Sequence, residues 1–354
     1  MKPRPSKRGF FIAADQSQRH TATYGKMHMD ITTSGNPGTA GHTRIKPAIF
    51  IDGEAGTTGI EIRDRLARVA GVEVLAIAPE KRKDPAARKA LMSEADLVVL
   101  CLPDEAAKEA VALADELGAK APRILDASSA HRVSAGWTYG WPEMDAAQPD
   151  AIARARLVSN PGCYPTGAIA LIRPLVEAGL MPADYPVTVN AVSGYSGGGK
   201  SMIEAYQSGK APAFELYGLG LEHKHVPELQ KYGKLTRRPI FVPSVGNFLK
   251  GMLVSVPLHL DTLPGKPNAR DLEAAMAAHY KGSKWVKVIG ADDPSVKAGK
   301  LDALALNDTN LLELRVFSNA TYGHAVLVAR LDNLGKGASG AAVQNIGIML
   351  GVET

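Results

Sequence analysis

The 354-residue chain holds only two cysteines and has no apolar run long enough to span a bilayer. Two thiols cannot build a disulfide framework, and Cys101 lies inside the apolar segment Asp96-Leu97-Val98-Val99-Leu100-Cys101-Leu102. The expectation is therefore a chain without membrane contact in a reducing compartment, the cytoplasm. No internal repeat is present, which argues against solenoid and array architectures. The net charge of +5 also lacks the distribution that nucleic-acid binding needs. Residues 1–46 carry eight Lys/Arg against two Asp/Glu, which leaves 33 against 34 for the rest. The body of the chain is neutral, so no nucleic-acid partner is expected. The first 46 residues lack apolar periodicity and the apolar centre of a secretory signal, and they read as a disordered leader. That leader is either an organelle-targeting arm or the product of an upstream start, with Met27 and Met29 as alternative starts.

What is present begins with alternation. Apolar strands at 48–52, 72–77, 97–102 and 123–126 are separated by helical patterns at 60–69, 86–93 and 104–117, which predicts a parallel sheet with right-handed crossovers. After residue 163 the pattern becomes longer alternating strands at 187–193, 240–245, 250–260, 311–319 and 325–331. Helices at 200–207 and 269–280 interrupt them, and an apolar helix closes the chain at 336–350. The expected fold class is α/β, a Rossmann-type dinucleotide-binding domain over 47–163 joined to an α+β domain over 164–332 on a mostly antiparallel sheet.

Four constellations carry chemistry. Gly53-Glu54-Ala55-Gly56-Thr57-Thr58-Gly59 sits between the first strand and helix, where glycines let backbone approach a pyrophosphate; an ordinary βα turn is the alternative. The second strand runs into Glu80-Lys81-Arg82-Lys83, cations that suit a 2′-phosphate and favour NADP(H), unless they are solvated surface charge. Asn160-Pro161-Gly162-Cys163-Tyr164-Pro165-Thr166-Gly167 presents a thiol at a turn that opens an apolar helix, with Pro165 at its first position. Unpaired N–H groups there should lower the thiol pKa, the preparation a nucleophile needs. Glu222-His223-Lys224-His225-Val226-Pro227-Glu228 offers two imidazoles. No further ligand at zinc spacing accompanies them, so no metal is expected, and acid–base work beside a thiolate or a surface location remain. Two further loops, Ser128-Ser129-Ala130-His131-Arg132 and Ser193-Gly194-Tyr195-Ser196-Gly197-Gly198-Gly199-Lys200, suit phosphate or carboxylate contacts; a cap and a flexible connector are the plainer readings.

Over residues 46–354 these motifs, with the tail Asp332-Asn-Leu-Gly-Lys-Gly-Ala-Ser-Gly-Ala-Ala-Val-Gln-Asn345, resemble the N-acetyl-gamma-glutamyl-phosphate reductases in their shorter bacterial form. Aspartate-semialdehyde dehydrogenases share the Ser-Ser-Ala-x-Arg string but set their cysteine in another context. The resemblance implies NADPH-dependent reduction of an acyl phosphate to an aldehyde, in arginine biosynthesis, through a thioester on Cys163. It implies acid–base work by His225 or else His223, phosphate binding by Arg132 with Ser129 and Ser193, and cofactor contacts from Gly53, Gly56, Thr57, Thr58, Gly59, Lys81, Arg82, Ser196 and Gly197. Asn345 is expected near the nicotinamide, so that the segment 333–354 completes the first domain. A dimer or tetramer is the expected assembly. The same chemistry on an aminoadipyl phosphate, and a non-catalytic dinucleotide-binding regulator, are the alternatives.

Overall fold

The computed structural model describes residues 46–354, so the expected leader, except Lys46, lies outside the described residues, as do Met27 and Met29. The first half runs β1 (Ala48–Asp52), α1 (Thr57–Leu66), β2 (Glu73–Leu75), α2 (Pro85–Glu94), β3 (Leu97–Leu100), α3 (Asp104–Asp115), β4 (Arg123–Asp126), β5 (Thr138–Tyr139), α4 (Gln148–Arg154) and β6 (Leu157–Ser159). Its six strands are parallel in the order β2-β1-β3-β4-β6-β5. β1 and β3 are apolar without alternation because helices cover both faces of the sheet. Ile62 and Leu66 of α1 pack on one face, while Met92 of α2 and Ala107, Ala110 and Ala114 of α3 pack on the other. The strand order reverses between β1 and β3, and ligand crevices form at the carboxyl ends of strands at such a point. The strand expected to close the series at 123–126 does not do so. β5 and β6, two and three residues long, are too short to leave a period-two signal.

The second half comprises α5 (Cys163–Glu177), β7 (Thr188–Gly194), α6 (Gly199–Gln207), β8 (Phe214–Leu216), α7 (Val226–Tyr232), β9 (Ile240–Gly246), β10 (Met252–His259), α8 (Ala269–His279), β11 (Val286–Val288), α9 (Pro294–Lys297), β12 (Leu312–Asn319) and β13 (His324–Leu331). The sheet order is β11-β12-β13-β10-β7-β9-β8, antiparallel except for the pairs β11–β12 and β7–β9. β10 alternates buried with half-buried or exposed residues, so one face points at a core and the other does not.

Helix α5 fills that core. It starts at Cys163 itself, with Gly162 before it, so Pro165 falls within the first turn, where a missing N–H costs nothing. Pro174 lies deeper and cannot donate to the Ala170 carbonyl; the Tyr280 hydroxyl does so instead, at 3.1 Å. The opposite face of the sheet carries an apolar groove of about 580 Å³ lined by residues such as Phe214, Leu216, Phe317 and Val326. The chain ends with one π-helical turn at Gly335–Ser339 and then α10 (Gly340–Leu350), whose Ala342, Val343, Ile346 and Met349 join the core beneath β1 and β3. The single helix expected over 336–350 is thus split. Among the described residues, no helix is long and apolar enough to cross a membrane.

Candidate active site

A cavity of about 410 Å³ opens where the first sheet's carboxyl ends meet the loops of the second sheet. Thr57, Thr58 and Arg132 line it from one side, Ser193, Ser196, Gly197, His223 and His225 from the other, and Cys163 lies between. No carboxylate is among its lining residues, so the walls favour anions.

The glycine loop is built for close approach. Gly53 has φ +89°, and a Cβ there would strike the Cys101 carbonyl at the end of β3. Gly56 precedes α1 with no side-chain cap on the helix, which leaves N–H groups for an anion. A dinucleotide pyrophosphate fits this uncapped, Cβ-free cradle. Arg82 donates to Glu54 at 2.7 Å, while its Nε is buried without a partner; Lys81 is exposed beside it.

Cys163 occupies the first position of α5, and the turn before it is crowded. A Cβ on Gly162 would sit 2.5 Å from Arg132 Nη1, 2.8 Å from His225 Nε2 and 3.0 Å from Glu228 Oε2. The Gly162 N–H donates to Glu228 at 2.8 Å, as does the Tyr139 hydroxyl at 2.6 Å, and Arg132 completes a buried ion pair at 3.1 Å. The lowered thiol pKa expected from the helix terminus is overturned. Burial pushes Cys163 up to about 11; the Arg132 charge and backbone N–H groups pull it down, and the Glu228 charge raises it again. Cys101, buried near Asp126 and Asp52, is pushed up to about 12 and serves as packing.

Both histidines are held neutral. Burial, then Lys224 and Arg132, lower His223 to about 4, and burial with Arg132, His223 and Lys224 takes His225 well below its ordinary value. The His225 backbone N–H donates to His223 Nδ1 at 3.1 Å, which puts the proton of neutral His223 on Nε2. The rings lie 4.7 Å apart, and each stands near the Tyr164 ring.

Ser129 and Asn345 do not line the cavity, nor do Gly53, Gly56, Gly59, Lys81 and Arg82. Ser129 gives its N–H and hydroxyl to Asp104 and stays out of the cavity lining, because a local carboxylate satisfies it first. Asn345 is fully buried behind the cavity, donating to the Gly140 carbonyl and to Asn160 Oδ1, so it orients Asn160, which does line the cavity. Sequence reasoning missed Glu228, Lys224 and Asn160. Glu228 and Lys224 lay inside a motif already singled out, and only its histidines drew attention.

A parallel dinucleotide-type sheet, a second mostly antiparallel sheet and a cysteine–histidine cavity between them define the semialdehyde dehydrogenase class. Residues 49–154 match the semialdehyde dehydrogenase NAD binding domain, and residues 163–333 match the semialdehyde dehydrogenase dimerisation domain. The fold is also that of aspartate semialdehyde dehydrogenase II from Vibrio cholerae, with TM-score 0.64 and 18% identity over 86% of this chain and 98% of that one. The Candida albicans enzyme, solved with NADP, gives TM-score 0.60 at 14% identity over 86% and 98% of the two chains.

Proteins named N-acetyl-gamma-glutamyl-phosphate reductase are much nearer in sequence. That of Chelativorans sp. is 53% identical over 85% of this chain and 97% of its own length, and that of Brucella ovis 52% over 87% and 100%. The chain belongs to the N-acetyl-gamma-glutamyl-phosphate reductase family.

Proposed function

We propose that this protein reduces N-acetyl-L-glutamyl 5-phosphate to N-acetyl-L-glutamate 5-semialdehyde with NADPH, releasing phosphate, in the cytoplasm and as a step of arginine biosynthesis. The observation that carries the reading is the convergence of Cys163, His225 Nε2 and Arg132 on one turn, in a cavity that also reaches the uncapped α1 terminus. Relatives at about 50% identity carry that reductase name.

In this reading the neutral His225 takes the Cys163 proton as sulfur attacks the acyl carbon. The carbon–oxygen bond to the phosphoryl group breaks, its electron pair leaves with phosphate, and the imidazolium passes its proton to that oxygen. A thioester remains on Cys163. NADPH, when bound across the glycine loop, supplies the hydride to the thioester carbon. An N–H from His223 or His225 steadies the resulting alkoxide, whose collapse breaks the carbon–sulfur bond and frees the aldehyde. A proton taken from solvent and relayed by the imidazole restores the thiol and resets the site. Gly53, Gly56 and Gly59, with Thr57, Thr58, Ser196 and Gly197, would hold the cofactor, and Lys81 and Arg82 its 2′-phosphate.

The exposed apolar groove around Phe214 and Leu216 suits a second copy of the chain, consistent with a homo-oligomer built through this sheet.

The reaction is checked in reverse, as phosphate-dependent reduction of NADP by the N-acetylated glutamate semialdehyde. Turnover should depend on phosphate, prefer NADP to NAD and prefer this aldehyde to the aminoadipate analogue. Cys163→Ser should abolish turnover and keep NADP binding; near-normal turnover in that variant would exclude the covalent route.

A further inference from the structure

We propose that Lys224 is the cation that receives the phosphoryl group of the substrate, an assignment that rests on the acyl-phosphate reading above. The family resemblance gives this task to Arg132, but that guanidinium is already engaged. Its Nε donates to the Asn160 carbonyl at 3.0 Å, its Nη1 pairs with buried Glu228 at 3.1 Å, and its Nη2 points at the Ala127 carbonyl at 3.4 Å. A phosphoryl group carries close to two negative charges, and one guanidinium with a buried counter-ion does not balance them. Lys224 is the other cation in the cavity wall, and it has no hydrogen-bond or ion-pair partner among the described residues.

Its position suits the leaving group. Lys224 sits between His223 and His225 on the turn that enters α7 and lines the same cavity as Arg132. Both cations also act on Asp104, where, against burial, hydrogen bonds from Ser129 and these charges hold the carboxyl low. Both Asp104 carboxylate oxygens accept from Ser129, and among the described residues no hydrogen bond joins Asp104 to Lys224. The phosphoryl oxygen is bonded to the carbon that Cys163 attacks, so it must lie beside Arg132 and His225. The substrate's α-carboxylate is several bonds further away. Arg132 then steadies the nucleophile's turn, and Lys224, with no hydrogen-bond or ion-pair partner among the described residues, supplies the further charge.

The reverse reaction separates the two anions, because phosphate and semialdehyde are added independently. Lys224→Met should raise KM for phosphate about tenfold or more while leaving KM for the semialdehyde within about twofold, and Lys224→Arg should restore most of the loss. Inorganic phosphate should also slow iodoacetamide labelling of the Cys163 peptide in the wild type and in Lys224→Arg, but not in Lys224→Met. An unchanged phosphate KM, retained protection in Lys224→Met, or a rise confined to the semialdehyde KM would overturn the assignment. A wild type that ignores phosphate in turnover would refute the reaction instead, and the labelling experiment would still decide the role of Lys224.

Discussion

Replacing Glu228 by Gln should make the protein less stable and Cys163 more reactive. The carboxylate accepts from Tyr139, the Gly162 N–H and Arg132 at 2.6, 2.8 and 3.1 Å, and it is essentially unexposed. Removing one partner of a buried ion pair typically costs about 3–5 kcal/mol; Gln keeps one acceptor oxygen, so the lower end applies. Against a usual total of about 5–15 kcal/mol the protein should still fold, with its melting temperature lower by on the order of 10 °C. The thiol responds with the opposite sign. Burial raises Cys163 to about 11, Arg132 opposes that rise, and Glu228 adds to it. With Glu228 neutralised, the Arg132 charge acts unopposed and the thiol pKa falls. Each unit gained multiplies the thiolate fraction near neutral pH about tenfold. Iodoacetamide labelling of Cys163, followed against pH by peptide mass, reads this directly. Glu228→Asp keeps the charge and serves as control. A folded Glu228→Gln protein whose labelling inflection stays in place or rises would refute the opposition of Arg132 and Glu228 at the sulfur.

Two further outcomes follow from the same geometry. His223 is lowered from 6.5 to about 4, and His225 is lowered well below 6.5, so their contribution to stability is complete above about pH 6.5. It is lost as pH falls from there toward 4, because the unfolded chain then binds protons that the folded chain refuses. The urea midpoint should fall over that window, and less steeply in a His223→Gln/His225→Gln double variant; equal slopes would count against buried neutral imidazoles. In the glycine loop, Gly53→Ala forces a side chain into the left-handed region and onto the Cys101 carbonyl, at a cost of about 2–6 kcal/mol. Gly56→Ala meets only ordinary contact, 3.4 Å from the Gly53 carbonyl, and should leave the melting temperature nearly unchanged while weakening NADP binding. Intact NADP affinity in Gly56→Ala would remove the cofactor from that position.

The parallel sheet was legible because β1 and β3 are nearly continuous apolar runs and β4 carries the pair Ile124-Leu125, each followed by a turn or helix signal. What escaped was short or masked by punctuation. β5, β6 and β8 have two or three residues, too few to establish a period-two pattern. Helix α7 begins at Val226-Pro227, which reads as a turn, although proline at the start of a helix is favourable. Lys336 was invisible for another reason. Its charge says surface, yet it is fully buried, held by Glu143 at 2.8 Å and Gln344 at 2.7 Å, partners 193 and 8 residues away.

The candidate site shows where local reasoning stops. That a thiol stands at a helix N-terminus is a fact of about eight consecutive residues, and the sequence displays it. Whether the thiol is ionised is a sum over residues that the sequence scatters. The N–H groups of the first turn and Arg132 act in the expected direction, but the wall that encloses the cavity withdraws the sulfur from water, and that effect is the larger. The same enclosure lowers both imidazoles, His223 to about 4 and His225 well below its ordinary value. Ser129 escaped local reasoning for a related reason. A serine donates to whichever acceptor is nearest, and for Ser129 that is Asp104, supplied by the helix after the preceding strand. Glu228 holds the opposite lesson, since it lies three residues from His225 yet takes hydrogen bonds from residues 66, 89 and 96 positions away. A carboxylate that gathers a cysteine's turn, a tyrosine and an arginine is recognisable only once the chain has folded around it.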